Sequence, residues 1–340
     1  MNIAVVGAGG WGTTLAILLH KKGNRVSILE HFPDYAKFLD KKRENVKFLP
    51  NMSIPKGIII TSDFKEALDK VELIVLAVPS QFFRNTVKKI NEVIKSSDVL
   101  VVSVTKGIEN DTLCRMSEIL LQEIPGIKNR LVVLSGPSHA EEVSKNVPTA
   151  VVCSAFKKEN SYKIQNIFKT SHFRIYTNSD IIGVELGGAL KNVIAIATGI
   201  IDGIGLGDNA KAALMTRGLA EMSRLGGKLG AKKSTFAGLS GMGDLIVTCM
   251  SKFSRNRAVG ELLGKGKTLK KIMQKMEMVA EGVPTTKSAY VLSKKIKVDM
   301  PIVSEVYSVL FEDKLAKTAV IDLMSRPVKS EEETFLGGRI

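Results

Sequence analysis

Closely spaced glycines near the amino terminus form the segment Gly7-Ala8-Gly9-Gly10-Trp11-Gly12, which follows an apolar β-branched run and precedes an apolar-faced helical pattern. The G-x-G-x-x-G spacing in this strand–turn–helix context predicts a loop that binds the pyrophosphate of a dinucleotide. Gly7 would allow the tight turn, Gly9 would let the phosphates approach the backbone, and Gly12 would let helix and strand pack closely. The helix amino terminus would add free N–H groups and a partial positive charge. A tight turn without a ligand is the structural alternative.

A carboxylate, Glu30, ends the second predicted strand, 18 residues after Gly12. A carboxylate at that position suits the two hydroxyls of an NAD ribose and repels the 2′-phosphate of NADP. The following residues, His31-Phe32-Pro33-Asp34, supply no Arg or Lys that could hold such a phosphate. The sequence therefore favours NAD, with a solvated strand-end glutamate as the alternative.

Two loops follow neighbouring predicted strands and are candidates for the same ligand site. Lys106 lies in Val104-Thr105-Lys106-Gly107-Ile108, directly after one strand, and Ser135-Gly136-Pro137-Ser138-His139-Ala140-Glu141 follows the next. The carboxyl ends of strands in a doubly wound sheet face the ligand crevice, so Lys106 is expected to point toward the site. Either loop taken alone is equally compatible with a surface turn.

Lys191 and Asn192 interrupt an apolar, small-residue helical pattern that runs from Glu185 to Ile196. A lysine in such a place either extends its head group to the surface or is held in a pocket as a proton donor and acceptor. Burial lowers the pKa of a lysine toward the range that is useful for proton transfer. The sequence favours the acid/base role.

Two further polar residues, Asp244 and Thr248, follow the glycine-rich turn Gly241-Met242-Gly243. Asp244 is a candidate site carboxylate, with a helix cap as the alternative. The nearby Ser254-Arg255-Asn256 combines a bidentate cation with neutral donors, which is a suitable set for binding a phosphate.

The composition limits the classes of protein that these residues can serve. The 340 residues suggest about two domains, and 49 Lys+Arg against 34 Asp+Glu give a net charge of +15 that favours anionic partners. The basic residues are scattered, so most are expected to be solvated surface, and no nucleic-acid partner is predicted. No uncharged apolar stretch approaches the roughly 18 residues of a membrane span, and no signal peptide is recognisable. With three widely spaced cysteines and four histidines, neither a disulfide framework nor a metal site is expected.

The elements that must position these residues change in character along the chain. Short β-branched runs alternate with helical patterns in the first half, which predicts βαβ units in a Rossmann-type, doubly wound, mostly parallel sheet. The predicted strands are Ile3–Val6, Val26–Leu29, Ile58–Thr61, Leu73–Val78, Val99–Val104, Leu131–Leu134, Ala150–Cys153 and Phe173–Tyr176.

Helix-length patterns follow one another after about residue 180, and Pro284 and Pro301 stand where helices are expected to begin. We therefore predict a dinucleotide-binding domain over 1–180, an all-helical substrate and catalytic domain over 181–328, and a flexible polar tail over 329–340.

With these segments identified, the chain closely resembles the NAD(P)-dependent glycerol-3-phosphate dehydrogenase family of bacterial type. The matching segments are GAGGWGTTLA, VTKGIE, LSGPSHAEEV, ELGGALKNVIAIATGIIDGIGLGDNAKAALMTRGLAEM, FAGLSGMGDLIVTCMSKFSRNRAVG and VAEGVPTTKS, which span residues 7 to 288 in order. The resemblance implies a cytoplasmic enzyme with a Rossmann-type domain, a helical domain and an active site between them. The implied reaction interconverts dihydroxyacetone phosphate and sn-glycerol 3-phosphate with NAD(P)H and feeds glycerolipid and phospholipid synthesis.

The resemblance also implies roles for individual residues, with Lys191 as the acid/base and Lys106 touching both cofactor and substrate. The chemistry of proton transfer at the C2 oxygen adds Asp244 and Asn192, which would hold the lysine and the substrate oxygens in register. The residues implied to contact the substrate are Lys106, Gly136, Ser138, Lys191, Asp244, Thr248, Ser254, Arg255 and Asn256. Those implied to hold the dinucleotide, beside the glycine loop, are Gly10, Trp11, His31, Phe32, Lys106, Ala140, Arg255, Val279 and Glu281. Glu30 stands where relatives often carry a small residue, which counts against the use of NADP.

Two alternatives remain open at the level of sequence. One is another two-domain dehydrogenase that acts on a 3-hydroxy acid or a sugar phosphate, and the other is an NAD-sensing regulator that binds nucleic acid. The Asp244 and Ser254-Arg255-Asn256 segments favour a small phosphorylated substrate over the first, and the absence of a basic stripe in the sequence argues against the second. A homodimer is kept as an option, since the sequence does not determine the oligomeric state.

Overall fold

The structure, a computed structural model, describes residues 1–94, 98–276, 278–328 and 330–331. Most of the predicted tail, residues 329 and 332–340, therefore lies outside the described residues. The chain divides into two compact units: unit 1 comprises Met1–Thr105 and Met116–Ile181, and unit 2 comprises Lys106–Arg115 and Ile182–Ile340. The prediction placed one boundary at residue 180. The structure also assigns the earlier segment Lys106–Arg115, called the excursion below, to unit 2.

Unit 1 is built on a mostly parallel sheet whose central strands are continuous apolar runs. The strands Leu73–Leu76 and Leu100–Ser103, for example, read LIVL and LVVS and are buried throughout, as expected where helices cover both faces of a parallel sheet. The strands are β1 (Asn2–Val6), β2 (Arg25–Leu29), β3 (Glu44–Asn45), β4 (Leu49–Ser53), β5 (Ile59–Thr61), β6 (Leu73–Leu76), β7 (Leu100–Ser103), β8 (Leu131–Ser135), β9 (Thr149–Ala155) and β10 (Phe173–Asn178).

Eight of these strands form one sheet in the order β10-β9-β8-β7-β6-β1-β2-β5. All neighbours in this sheet are parallel except β8 and β9, which run antiparallel. The predicted mostly parallel sheet is confirmed. The separate antiparallel hairpin β3–β4 was not predicted, because its strands are short and mostly polar.

The helices of unit 1 pack apolar faces on this sheet. In the helix that begins at Phe83, the buried side chains Phe83, Val87 and Ile90 recur at steps of four and three, as the sequence predicts. The helices of unit 1 are α1 (Gly10–Lys21), α2 (Pro33–Lys42), α3 (Phe64–Ala67), α4 (Phe83–Val93), α5 (Met116–Glu123), α6 (Ala140–Val143) and α7 (Lys158–Phe168).

The regular elements of unit 2 within its described residues after Ile181 are all helices, as predicted. Its helices are α8 (Ile181–Ile204), α9 (Gly207–Lys228), α10 (Lys233–Phe236), α11 (Asp244–Met250), α12 (Arg255–Gly264), α13 (Leu269–Lys275), α14 (Gly282–Lys295), α15 (Pro301–Phe311) and α16 (Ala316–Met324), with a π-helical turn over Leu239–Gly243 before α11. Helices α8 and α12 approach so closely that a Cβ atom on Gly260 would lie 1.9 Å from the carbonyl oxygen of Ile196. This contact sets the backbone spacing between two helices that carry candidate site residues.

Helix α8 is the one described helix that is long and apolar enough to cross a membrane by length and composition. Its most apolar 18-residue window is 94% buried inside the protein. The helix is accordingly the core helix of unit 2, around which the other helices pack.

The Lys106–Arg115 excursion joins the core of unit 2 through Ile108, which is fully buried there. Ile108 pairs with Arg115 in an isolated antiparallel bridge, and its carbonyl oxygen accepts a hydrogen bond of 2.9 Å from the Ser288 hydroxyl of α14. The Arg115 guanidinium forms an ion pair of 2.5 Å with Glu185 of α8. These contacts of Ile108 and Arg115 hold the segment that begins with Lys106 on the helical unit.

Candidate active site

The glycine loop of unit 1 has the backbone geometry that its sequence predicts. Gly7 lies at φ +107°, where a side chain would be strained, and a Cβ atom there would lie 2.8 Å from the carbonyl oxygen of Ala77. A Cβ atom on Gly12 would lie 2.0 Å from the Gly7 carbonyl oxygen, so α1 packs directly on the turn. At Gly9, by contrast, no atom of the described residues would lie within 4 Å of a Cβ atom.

The open side at Gly9 fits the pyrophosphate of a dinucleotide. Helix α1 begins at Gly10, and the N–H groups of its first turn and its dipole favour an anion there. Trp11 in that turn is half-buried, with its ring centroid 6.2 Å from that of Phe173. Ala140 begins α6 beside the loop, and its carbonyl oxygen accepts a hydrogen bond of 3.3 Å from the Thr14 hydroxyl of α1.

Glu30 lies against this loop and is buried, whereas the alternative considered from the sequence was a solvated glutamate at the strand end. Its side chain is 7% exposed, and it accepts hydrogen bonds from the backbone N–H groups of Phe32, at 3.0 Å, and of Ala8. Burial raises the pKa of Glu30 above its ordinary value, and these N–H groups oppose the rise. His31 and Phe32 are exposed beside it, with their rings in edge contact at 5.0 Å.

Unit 2 gathers two lysines around one buried carboxylate. The Lys191 ammonium of α8 donates to Asp244 Oδ1 at 2.8 Å and to Thr248 Oγ1 at 2.6 Å. The Lys106 ammonium donates to the other oxygen of the same carboxylate, Oδ2, at 2.6 Å. Thr248 lies one turn after Asp244 on α11 and donates its own proton to the Asp244 carbonyl oxygen at 2.6 Å. The Asp244 carboxylate is therefore a shared counter-ion for both lysines. The alternative role as a helix cap is not what its side-chain contacts show.

The electrostatics of this cluster suit proton transfer. Burial lowers the pKa of Lys191 to about 8, with Asp244 opposing the fall and Lys106 adding to it. Burial acts to raise the pKa of Asp244, but the two ammonium groups outweigh it and hold that pKa below its ordinary value. The carboxylate thus stays ionised while Lys191 has a pKa of about 8, which lies within the range useful to a general acid.

The predicted phosphate-binding segment is largely engaged in local structure. The Ser254 hydroxyl caps α12 by accepting from the Arg257 N–H at 3.2 Å. Asn256 Nδ2 donates to Asn192 Oδ1 at 2.8 Å, and Asn256 Oδ1 accepts from the Gly282 N–H at 2.8 Å. Arg255 is exposed at the first residue of α12. Of the three residues, Arg255 is the one that is exposed, whereas Ser254 and Asn256 are buried.

The remaining predicted residues are divided between the two units. In unit 1, Gly136 lies at φ +123°, and its carbonyl oxygen accepts a hydrogen bond of 2.9 Å from the Ser138 hydroxyl. In unit 2, Val279 is 39% exposed and Glu281 immediately precedes α14. The structure thus brings Lys106, Lys191, Asp244 and Thr248 into one cluster, and Gly7–Gly12 and Glu30 into another.

One contact residue of the glycine loop was missed by the sequence analysis. Asn45 of β3 is fully buried and donates to the Ala8 carbonyl oxygen at 2.8 Å. A lone asparagine between charged and apolar neighbours has no motif that distinguishes it from a turn residue, so the sequence offers no signal for this contact.

A dinucleotide-type glycine loop on a mostly parallel sheet, together with a buried lysine–carboxylate cluster in a helical unit, is typical of the class of two-domain nicotinamide-dependent dehydrogenases. Family models place the chain within that class. The model for the N-terminus of NAD-dependent glycerol-3-phosphate dehydrogenase matches residues 2–161, and the model for its C-terminus matches residues 180–321. The chain belongs to the NAD-dependent glycerol-3-phosphate dehydrogenase family.

Individual relatives agree with this assignment. The chain is 52% identical over 332 residues to the glycerol-3-phosphate dehydrogenase (NAD(P)+) of Chlorobium phaeobacteroides strain BS1, covering 97% of this chain and 99% of the relative. It is also 52% identical to the Bacillus pumilus enzyme of the same name, covering 97% and 96%. The crystal structure of glycerol-3-phosphate dehydrogenase from Coxiella burnetii superposes with a TM-score of 0.91 at 37% identity, covering 95% of this chain and 98% of that one. These matches favour this family over both alternatives that the sequence left open.

Proposed function

We propose that the protein interconverts dihydroxyacetone phosphate and sn-glycerol 3-phosphate, using NAD(P)H as the reductant or NAD(P)+ as the oxidant. The observation that carries the proposal is the Lys191–Asp244–Lys106 cluster, in which a buried ammonium with a pKa of about 8 is held by an ionised carboxylate. The full-length similarity to enzymes named for this activity supports the choice of substrate.

The side chains of the cluster perform the proton part of the reaction. A nicotinamide dinucleotide held by the glycine loop and Glu30 would supply the hydride chemistry at C2 of the substrate. In reduction the Lys191 ammonium donates a proton to the C2 oxygen, and in oxidation the neutral amine takes the proton from the C2 hydroxyl. Asp244 and Thr248 hold the Lys191 nitrogen in place, while Lys106 adds positive charge next to the developing alkoxide.

The cofactor preference follows from Glu30. We propose that the glycine loop residues Gly7, Gly9, Gly10 and Gly12 hold the pyrophosphate, while Glu30 receives the ribose hydroxyls and repels a 2′-phosphate. NADH should therefore have the higher kcat/KM, and Glu30→Ala should narrow the ratio between NADH and NADPH. A wild-type preference for NADPH would contradict this role for Glu30.

Substrate selection is assigned to the phosphate. We propose that Arg255, with the backbone N–H groups at the start of α12, binds the phosphate, because the side chain is exposed at the helix terminus that favours an anion. The net charge of +15 would attract both anionic ligands. Unphosphorylated dihydroxyacetone should hardly react, because it has no phosphate for this site to bind and forgoes the binding energy that orients the reacting carbon.

The test is a steady-state assay in which purified protein oxidises NADH with dihydroxyacetone phosphate as the sole acceptor, followed by the loss of reduced-nicotinamide absorbance. We expect turnover with the phosphorylated ketone and almost none with dihydroxyacetone. Comparable kcat/KM values for the two ketones would overturn the phosphate assignment, and no turnover with either would overturn the proposed function. We place the enzyme in the cytoplasm, where its product would supply glycerolipid and phospholipid synthesis.

A further inference from the structure

A buried asparagine, Asn45, connects the β3–β4 hairpin to the glycine loop of unit 1. Its side chain is fully buried, and all four of its hydrogen-bonding positions are used. Nδ2 donates to the Ala8 carbonyl oxygen and to the Thr13 hydroxyl, both at 2.8 Å. Oδ1 accepts from the Tyr35 hydroxyl at 2.8 Å and from the Phe48 N–H at 3.2 Å.

The peptide groups around Ala8 are thereby held on two sides. The Ala8 N–H donates to the carboxylate of Glu30, and the Ala8 carbonyl oxygen accepts from Asn45. Ala8 lies between Gly7 and Gly9, two residues with no side chain to restrict their backbone angles. The external hydrogen bonds therefore set a conformation that the glycines alone would leave free.

The hairpin also contacts the first residue of α1. A Cβ atom on Gly10 would lie 2.5 Å from the Phe48 carbonyl oxygen, so only glycine allows the hairpin to lie this close. Phe48 is in turn in edge contact with the Tyr35 ring, whose hydroxyl donates to Asn45. Asn45 is thus the polar centre of a contact set that reaches both Ala8 and the start of the helix.

We propose that Asn45 is a positioning residue for the dinucleotide site, which holds the glycine loop in the conformation that binds the pyrophosphate. The proposal rests on the proposed function, because it assumes that the loop binds a nicotinamide dinucleotide. Asn45 touches neither substrate nor reacting atoms on this account and acts through Ala8 and Thr13. Removing its carboxamide leaves the Ala8 carbonyl oxygen without this donor in a buried environment and lets the loop sample other conformations.

The test compares Asn45→Ala with Val46→Ala, its exposed neighbour in the same hairpin. Binding of NADH is measured by fluorescence titration well below the unfolding temperature. We expect Asn45→Ala to raise the Kd for NADH by about tenfold or more, and Val46→Ala to leave it unchanged. The KM for NADH should rise in parallel, while kcat at saturating NADH and the KM for dihydroxyacetone phosphate stay close to wild type.

Two competing probes locate the loss within the dinucleotide. ADP-ribose carries the pyrophosphate and adenosine does not, so Asn45→Ala should weaken the binding of ADP-ribose and spare that of adenosine. Equal weakening of both probes, or an unchanged Kd for NADH in the folded variant, would overturn the proposal.

A gentler variant decides the matter if Asn45→Ala does not fold. Tyr35→Phe keeps the aromatic ring and removes the hydroxyl that donates to Asn45 Oδ1. Tyr35→Phe should lower the affinity for ADP-ribose by a smaller factor than Asn45→Ala and leave the affinity for adenosine unchanged. An unchanged affinity for ADP-ribose would then overturn the proposal. Because the readout is binding, a wild-type protein that binds NADH but fails to reduce dihydroxyacetone phosphate would contradict the proposed function alone.

Discussion

Burial and neighbouring charges act in opposite directions on the pKa of Lys191, and their balance determines whether its ammonium can donate a proton. Removal from water favours the neutral amine, while the Asp244 carboxylate at 2.8 Å favours the ammonium. The positive charge of Lys106, which is paired with the same carboxylate, lowers the pKa of Lys191 further. The resulting pKa of about 8 leaves most of the group protonated at neutral pH yet able to release its proton.

Replacing Lys191 with methionine tests whether this proton matters. Lys191→Met keeps an unbranched stem of similar length, so the variant should fold while losing its proton donor. General acid catalysis is typically worth about 10²–10⁴-fold, so kcat should fall by at least about a hundredfold. The Kd for NADH should change little, because the glycine loop is untouched. Steady-state kinetics and fluorescence titration check both values.

The matched control is Lys295→Met, which removes an exposed lysine from α14. It should leave kcat near wild type. A Lys191→Met enzyme whose kcat stays within about threefold of wild type would show that Lys191 is not the acid.

The pH dependence provides a second test at the same residue. In the reducing direction the ammonium form is active, so kcat/KM should fall as the pH rises through about 8. Lys106 lowers the pKa of Lys191, so Lys106→Met should raise that pKa and move the falling limb to higher pH, even though turnover and substrate binding weaken. A limb that moves to lower pH or stays in place in this variant would contradict the coupling of the two lysines.

How much of the site was predictable is clearest at single residues. Lys106, Lys191 and Asp244 could be singled out because each is a charge in an apolar or glycine-rich context. Their meeting at one carboxylate could not be derived from spacing, because they lie on an excursion and two helices. Ser254 was predicted to bind the phosphate, but its hydroxyl accepts a hydrogen bond from the Arg257 N–H and caps α12. Only the three-dimensional contacts reveal that this hydroxyl is already used.

At the scale of elements, the amino terminus of α15 shows how a distant residue can replace a local cap. The residue before this helix is Met300, which has no polar side chain to cap it, and Pro301 occupies the first turn. The Glu221 carboxylate of α9 instead accepts from the N–H groups of Ile302 at 2.7 Å and Val303 at 3.2 Å. Sequence rules look for such a cap beside the helix, so they could not find one that comes from another helix.

Glu221 makes the stability of unit 2 depend on pH. Burial raises its pKa to about 8, although the two N–H groups and Arg224 oppose the rise. Because the folded pKa lies above the unfolded value, the stabilising contribution is full below the unfolded pKa and is lost as the pH rises through about 8. Glu221→Gln stays neutral, so its unfolding temperature relative to wild type should increase by at least about 3 °C between about pH 6 and about pH 9.

Thermal unfolding followed by circular dichroism at the two pH values measures this difference. Glu92→Gln, an exposed change on α4, should show no such trend. A difference for Glu221→Gln that is constant or shrinks toward high pH would contradict the raised pKa.

The sheet was more predictable than the connections between its strands. Each of the eight predicted strand segments overlaps a strand of the sheet, because most of these strands are buried apolar runs and β10 alternates buried with exposed residues. The β3–β4 hairpin lacks that pattern, because the buried residue of β3 is the polar Asn45 and most of β4 is exposed or half-buried. A polar hairpin held by side-chain contacts leaves no hydrophobic periodicity to detect.

At the scale of the whole molecule, the division of the chain into two units is less simple than one boundary. The segment Lys106–Arg115 belongs to unit 2, although unit 1 contains the residues on both sides of it. A ten-residue stretch with few apolar positions shows no periodicity of its own, so sequence analysis assigns it to its surroundings. Its consequence for the proposed mechanism is that Lys106 shares a compact unit with Lys191 and Asp244.

This arrangement predicts that two core residues only four positions apart stabilise different units. Val104 is 3% exposed in the core of unit 1, and Ile108 is fully buried in the core of unit 2. Truncating a buried isoleucine to alanine typically costs about 2–5 kcal/mol, and a valine leaves a smaller cavity of the same kind. Hydrogen exchange measured by mass spectrometry can assign each loss to a unit, because local unfolding removes protection from the affected segments. In Ile108→Ala the protection should fall in α8 and α14, and in Val104→Ala it should fall in β6 and β7. If both variants lost protection in the same segments, the excursion would not be a part of the helical core, and Lys106 would have to be placed with the sheet.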